Sequence, residues 1–184
     1  KLTPIKMGAL VIRSPKNGHP DKIKFDMALQ TLYNYEETGF LNKLRDEGKL
    51  MDSGLLKFEN NDHGATLIYF IPKLIGQKLS AAEKIIINQI EKLKKGDFSE
   101  NYVEAIKINA IKENSYKWEN NESRALEMLS AFSQGKKWNE YYSNYEAINN
   151  ITKNEIIEIA KTYFNNNHLV FYSKMGSPKK EKLE

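Results

Sequence analysis

The histidines of the chain are His19, His63 and His168. A hydrolytic metal site needs two or three deprotonated side chains converging on one ion. None of the three pairs with another at helical spacing, and neither H-x-x-E-H nor H-E-x-x-H occurs. His19 and His63 fall in loop-like stretches and His168 opens a strand-like run, so each reads as a surface histidine and no metal ligand is expected from this chain. There is no cysteine, hence no thiolate nucleophile, disulfide or Cys-ligated zinc. A Ser-His-Asp arrangement lacks its G-x-S-x-G elbow, and the glycines form neither G-x-G-x-x-G nor a P-loop. The adjacent acids Glu36-Glu37 and Asp46-Glu47 have basic neighbours and read as solvated helix faces. In KLKKGD (92–97) the lysines suit the dipole at a helix C-terminus. Trp118, Trp138, Tyr141, Tyr142 and Tyr145 have the spacing of a helical packing stripe more than of a groove. No catalytic residue emerges. One candidate remains: Arg45, inside GFLNKLRDEGKLMDSG (39–54), is either a substrate-handling cation at the mouth of a strand or a solvated arginine at a helix end.

The elements that would carry these residues are legible from periodicity and punctuation. MGALVIRS (7–14) reads as a strand, and SPKNGHPD (14–21) as a loop. A helix is expected from about 21 to 35, broken at Gly39, with a short helical piece over 40–47. Residues 51–59 and ATLIYFI (65–71) read as strands joined by the hairpin loop NNDHG (60–64), the second strand being central and covered on at least one face. Ser80 and Glu83 form a capping-box pattern opening a helix to about 95, with Gly96 just past its end. Further helices are expected over 100–118 (capped by Ser99), 121–134 (ended by Gly135) and 138–147. A second capping box, Thr152 and Glu155, opens a helix to about 164. HLVFYSK (168–174) is the last strand, and SPKKEKLE (177–184) reads as a linker. A hairpin between separated helices argues for α+β: a two-layer unit with helices packed on one face of a mixed or antiparallel sheet. A single domain is expected over 1–176.

The chain has 184 residues, 28 basic and 24 acidic, for a net charge of +4. The signs are mixed, without the basic stripe of a nucleic-acid binder. No apolar run approaches the ~20 residues that span a bilayer. Neither nucleic acid nor membrane is expected as a partner. The chain begins at Lys1 without a signal peptide, which suggests a piece of a longer protein.

The blocks GFLNKLRDEGKL (39–50), PKLIGQKLSAAEKIIINQIEKLKKGDFSENYVEAIK (72–107), ESRALEMLSAFSQGKKW (122–138) and INNITKNEIIEIAKTYFNNNHLVFYSKMG (148–176), in this order and spacing, together resemble the pitrilysin/insulinase family of zinc metallopeptidases. The resemblance is to the family's domain without the metal motif. It implies a two-layer α/β unit repeated four times in a large member. Zinc and its H-x-x-E-H motif would belong to another domain of the same polypeptide, with the motif glutamate as general base. The two halves would enclose a peptide substrate, and this chain would be one wall. In the family's last unit an arginine and a tyrosine seven residues later help hold the substrate. Arg45 matches the arginine, but Asp52 stands where the tyrosine would be, and an ionised carboxylate cannot donate to a developing oxyanion. Together with the Lys-rich tail, this places the chain as the second unit, in the first half. Arg45 is then expected to be structural, paired with Asp46, Glu47 or Asp52, with substrate contact as the lesser role. The resemblance also leans towards a periplasmic location, and leaves open a structural or interaction subunit that has lost peptidase activity.

Overall fold

The computed structural model describes residues 5–176; the expected linker 177–184 lies outside the described residues. Four strands, β1 (Met7–Ser14), β2 (Asp52–Glu59), β3 (Gly64–Ile71) and β4 (His168–Ser173), form one sheet in the order β2-β3-β1-β4. Every neighbouring pair is antiparallel, so the sheet is antiparallel rather than mixed. Between the strands lie α1 (Lys22–Leu32), α2 (Asn42–Asp46), α3 (Leu79–Lys95), α4 (Glu100–Glu119), α5 (Asn121–Ser133), α6 (Trp138–Glu146), a 3-10 turn (Ala147–Asn150) and α7 (Lys153–Tyr163).

Alternation along the strands builds the two layers. Leu10 and Ile12 of β1 and Ile68 and Phe70 of β3 are buried in one core with Phe25, Leu29 and Leu32 of α1, Ile86 and Leu93 of α3 and Ile156 of α7. The residues between them on the strands face away from the helices and are half-buried or exposed. The expected two-layer α+β unit is therefore the observed one, with β3 central as its apolar run requires.

Local signals set the helix ends. Thr152 and Glu155 make the capping box expected of them: Thr152 N–H donates to the Glu155 carboxylate at 2.9 Å, and Glu155 N–H donates to Thr152 Oγ1 at 3.2 Å. At the end of α3, Gly96 has φ 72°. Its N–H and that of Asp97 close back onto Leu93 and Lys92 at 3.0 Å each, as in the left-handed helix stop. A Cβ there would come within 2.6 Å of Ile157, so the glycine also lets α7 approach.

The other capping box does not form. The helix starts at Leu79, with Lys78 at the cap position and no side-chain cap bond, so Ser80 lies inside the first turn. Tertiary anchoring overrides the local pattern. Leu79 packs against the core, and Gln77 fixes the preceding loop by accepting from Lys73 N–H and donating to the Lys49 carbonyl.

Glu155 does more than cap. Lys24 of α1 lies 2.9 Å from its carboxylate, and the hydrogen bonds from Lys24 and Thr152 lower its pKa to about 2. A carboxylate whose pKa falls on folding binds protons more weakly in the native state. Its contribution is complete above the usual 4.5 and is lost as the pH drops towards 2. Thr152→Ala is expected to cost about 1 kcal/mol at neutral pH. The stability gap between wild type and Glu155→Gln should close as thermal melts are taken from pH 5 to pH 2.

Candidate functional site

Arg45 rides on α2, a five-residue helix too short to hold itself in place. The surrounding sequence holds it. Leu41, Leu44 and Leu50 are buried. Asn34 and Asn42 exchange two hydrogen bonds across the turn: Asn34 N–H to Asn42 Oδ1 at 3.1 Å, and Asn42 Nδ2 to the Asn34 carbonyl at 3.2 Å. Ser53 Oγ of β2 donates to the Leu41 carbonyl at 3.0 Å. The Tyr102 hydroxyl of α4 donates to the Thr38 carbonyl at 3.1 Å. The anchored helix turns Arg45 outwards, with half of its side chain exposed.

The guanidinium lies 3.3 Å from Glu37 and 3.5 Å from Asp46. Those carboxylates, Glu37 first, raise its pKa above the ordinary arginine value. Of the expected partners, Asp46 is paired with it; Glu47 binds Lys49 at 2.6 Å, and Asp52 accepts from the Tyr69 hydroxyl at 3.3 Å. Glu37 sits at φ 56°, a left-handed conformation unusual for a side-chain-bearing residue. Both Glu37→Gly and Glu37→Ala remove the carboxylate, but only glycine escapes the left-handed cost. Glu37→Gly is therefore expected to be the more stable of the two by about 1 kcal/mol in urea unfolding.

Tyr69 was not singled out by sequence reasoning. It lies directly opposite Gly54 across the β2–β3 ladder. A Cβ on Gly54 would come within 2.5 Å of its hydroxyl, so the missing side chain lets the ring lie over β2 and reach Asp52. Burial, then the Asp52 carboxylate, raise the Tyr69 pKa, while the charge of Arg45 acts in the opposite sense. Arg45, Asp52 and Tyr69 thus share one end of the sheet. The arrangement offers a cation and a phenol beside a carboxylate, groups that can hydrogen-bond a polar ligand, and none of them is poised as a nucleophile.

From that end an apolar surface runs over the sheet face that the helices leave uncovered. Register aligns Leu56, Leu67, Val11 and Leu169 in one row across the four strands, and Gly54, Tyr69, Ala9 and Phe171 in the next. Leu56, Phe58, Leu169 and Phe171 are each at least half exposed. A second apolar stripe, Met128, Leu129 and Phe132, is exposed on α5. Elsewhere a polar cleft of about 500 Å³ lies between α1, α4 and α5. In it Lys22 and Lys57 both bridge Asp26 and Glu59.

The residues do not fit a zinc ion. His19 accepts from Asp21 N–H at 3.1 Å in the first loop, His63 lies in the hairpin, and His168 opens β4 near the Asn165 carbonyl. Among the described residues no group of three or more His, Asp or Glu side chains is placed to hold a metal. Also among these residues, no helix is long and apolar enough to cross a membrane. The side chains of Tyr141, Tyr142 and Tyr145 lie outside the described residues, so their expected packing is not observed.

No family model matches this sequence, and no curated protein matches it. Solved structures do. A protease from Helicobacter pylori superposes with a TM-score of 0.85 at 20% identity, over 94% of this chain and 42% of that one. The inactive peptidase domain of a proposed zinc protease from Bordetella parapertussis gives 0.80 at 17% identity, over 98% of each chain. A peptidase M16 inactive domain from Pseudomonas fluorescens gives 0.75 at 9% identity, over 95% of this chain and 42% of that one. The chain thus has the fold of inactive M16 peptidase domains, and it spans less than half the length of the Helicobacter protease.

Proposed function

We propose that this chain is the non-catalytic domain of a pitrilysin-like zinc metalloendopeptidase, the second of four similar units, forming part of the wall around an enclosed peptide. The observation that carries this reading is the fold it shares with inactive peptidase domains over 98% of its length. The Helicobacter match supports it, because there the same unit fills 42% of a protease chain and leaves room for other domains of the same polypeptide. Zinc and the activated water belong in this reading to another domain; this chain binds and orients. Arg45 is first a structural residue in this unit, paired with Glu37 and Asp46; in the lesser role, Arg45 through carbonyl or carboxylate oxygens and Tyr69 through its hydroxyl are the candidate peptide contacts.

Three experiments test this. The residues upstream of Lys1 in the full gene product should contain H-x-x-E-H. Peptide hydrolysis should require that upstream part together with this chain. Tight stoichiometric zinc in the isolated chain, or hydrolysis by it alone, would overturn the proposal. Arg45→Ala in the assembled peptidase should raise KM severalfold with zinc content unchanged; an unchanged KM removes Arg45 from the contact set.

The alternative is a structural or interaction subunit of the same fold without peptidase activity. The exposed stripe Met128, Leu129 and Phe132 on α5 favours docking to a neighbouring protein surface. Absence of the histidine pair from both the gene product and its partners would select this alternative.

A further inference from the structure

The two edges of the sheet are built differently. β2 carries Asp52, Lys57 and Glu59, with Lys57 held between Asp26 and Glu59 at 3.2 and 3.4 Å, and α2 packs against it. Charge and a covering helix are the usual devices that keep an edge from pairing. β4, HLVFYS, has neither proline, lysine nor carboxylate. Among the described residues nothing pairs with its outer side, because β1 occupies the other. An open edge presents a row of N–H and C=O groups that only another extended backbone satisfies. Beside that row Leu169 and Phe171 stand 62% and 57% exposed on the uncovered face, ready to pack against alternate side chains of an added strand.

Charge fixes the orientation. Lys174 follows β4 directly, and the β1–β4 register, continued one residue past Met7 and Ser173, brings Lys6 across from it. Lys6 stands on the inner side of β4 and its ammonium donates to the Gln77 carbonyl at 2.6 Å, so Lys174 is the cation that marks this end of the open edge. Antiparallel pairing, the mode of every other pair in this sheet, puts the N-terminal end of an added strand there. A second copy is a poorer occupant: antiparallel self-pairing over the full length of β4 sets Lys174 against the Asn165–Asn167 end of the other copy, which has no carboxylate.

We infer that the outer edge of β4 is a strand-addition site for an extended peptide with alternating apolar side chains and an acidic residue at its N-terminal end. The choice of a peptide as occupant rests on the function proposed above. The edge chemistry itself does not.

The test uses the 184-residue chain and a labelled peptide, acetyl-Asp-Val-Thr-Val-Thr-Val-Thr-amide, followed by fluorescence anisotropy. Binding is expected, weakened about tenfold when the Asp is replaced by Lys and lost with Phe171→Lys. N-methylating one alternate set of peptide amides should abolish binding, and the other set should leave it within about twofold, since only one set faces the ladder. That contrast needs no protein variant, so misfolding of Phe171→Lys cannot imitate it. If both N-methylated peptides bind like the parent, or if the chain is a β4-paired dimer that excludes the peptide, the inference is overturned. The assay contains no catalytic partner. It can fail while the domain assignment stands, and it can succeed in a gene product that lacks the histidine pair.

Discussion

Phe25→Ala is expected to destabilise the chain by about 3–5 kcal/mol. Phe25 is 1% exposed and lies where α1 meets α7. Its ring is 5.1 Å from Tyr163 and 5.7 Å from Phe164, tilted to the first and stacked on the second. Removing it forfeits the transfer energy of the ring, leaves a cavity and breaks both aromatic pairs. Collapse into the space is hindered because α1 and α7 are pinned on either side. Tyr163 donates to Asp21 at 2.9 Å, with its pKa raised to about 12 by burial and then by that bond, and Lys24 holds Glu155. At about 2–4 °C per kcal/mol for a chain of this size, the melting temperature should fall by roughly 6–20 °C. A calorimetric shift below about 3 °C would mean that the two helices close over the gap.

The second large effect is expected at Asn42. Asn42→Ala removes both bonds that the Asn42 amide makes; the Asn34 carbonyl keeps the Glu37 N–H at 3.3 Å, but the Asn34 N–H is left without a partner. The site is closed, Asn34 being 5% exposed, so water cannot readily supply one. One unsatisfied buried backbone N–H costs about 1–3 kcal/mol, and that is the expected loss. The change should also reach the end of the sheet that carries Asp52 and Tyr69, because Asn42 opens the helix that carries Arg45. Denaturant unfolding measures the first effect. Faster amide exchange at Leu44 and Arg45 measures the second. If stability falls while exchange in α2 is unchanged, the asparagine pair does not position Arg45.

The parts of this architecture that follow from neighbouring residues were readable before any coordinates. Thr152 and Glu155 are three residues apart and cap as a unit. Gly96 ends a helix because the chain needs a left-handed residue there, and the apolar alternation of β1 and β3 assigns their faces. Ser80 shows where this breaks down. Its spacing to Glu83 is correct, but the packing of Leu79 against the core moves the helix cap two residues back, from Ser80 to Lys78, and a local motif carries no information about that distant contact. The same limit hides the site. Arg45 stood out as a cation at the mouth of a strand, and only a family resemblance gave it a candidate role. Its main partner, Glu37, lies across a turn whose geometry depends on the Asn34–Asn42 exchange. Tyr69 joins Arg45 only once β2 and β3 are in register. The facing glycine at position 54 was the available clue, and it becomes meaningful only after the two strands are paired.

The pairing of Met7 with Ser173 has a consequence for biosynthesis. On a ribosome β1 emerges early and β4 last, so a nascent chain can assemble the β2-β3-β1 ribbon and most helices while one flank of β1 waits for its mate. Contacts this far apart along the chain slow folding. During that interval the flank of β1, rich in valine, isoleucine and leucine, is the surface most in need of shielding by a chaperone. Stalling translation just before residue 168 should therefore yield a chaperone-bound, protease-sensitive intermediate, and stalling well beyond residue 173 should release it.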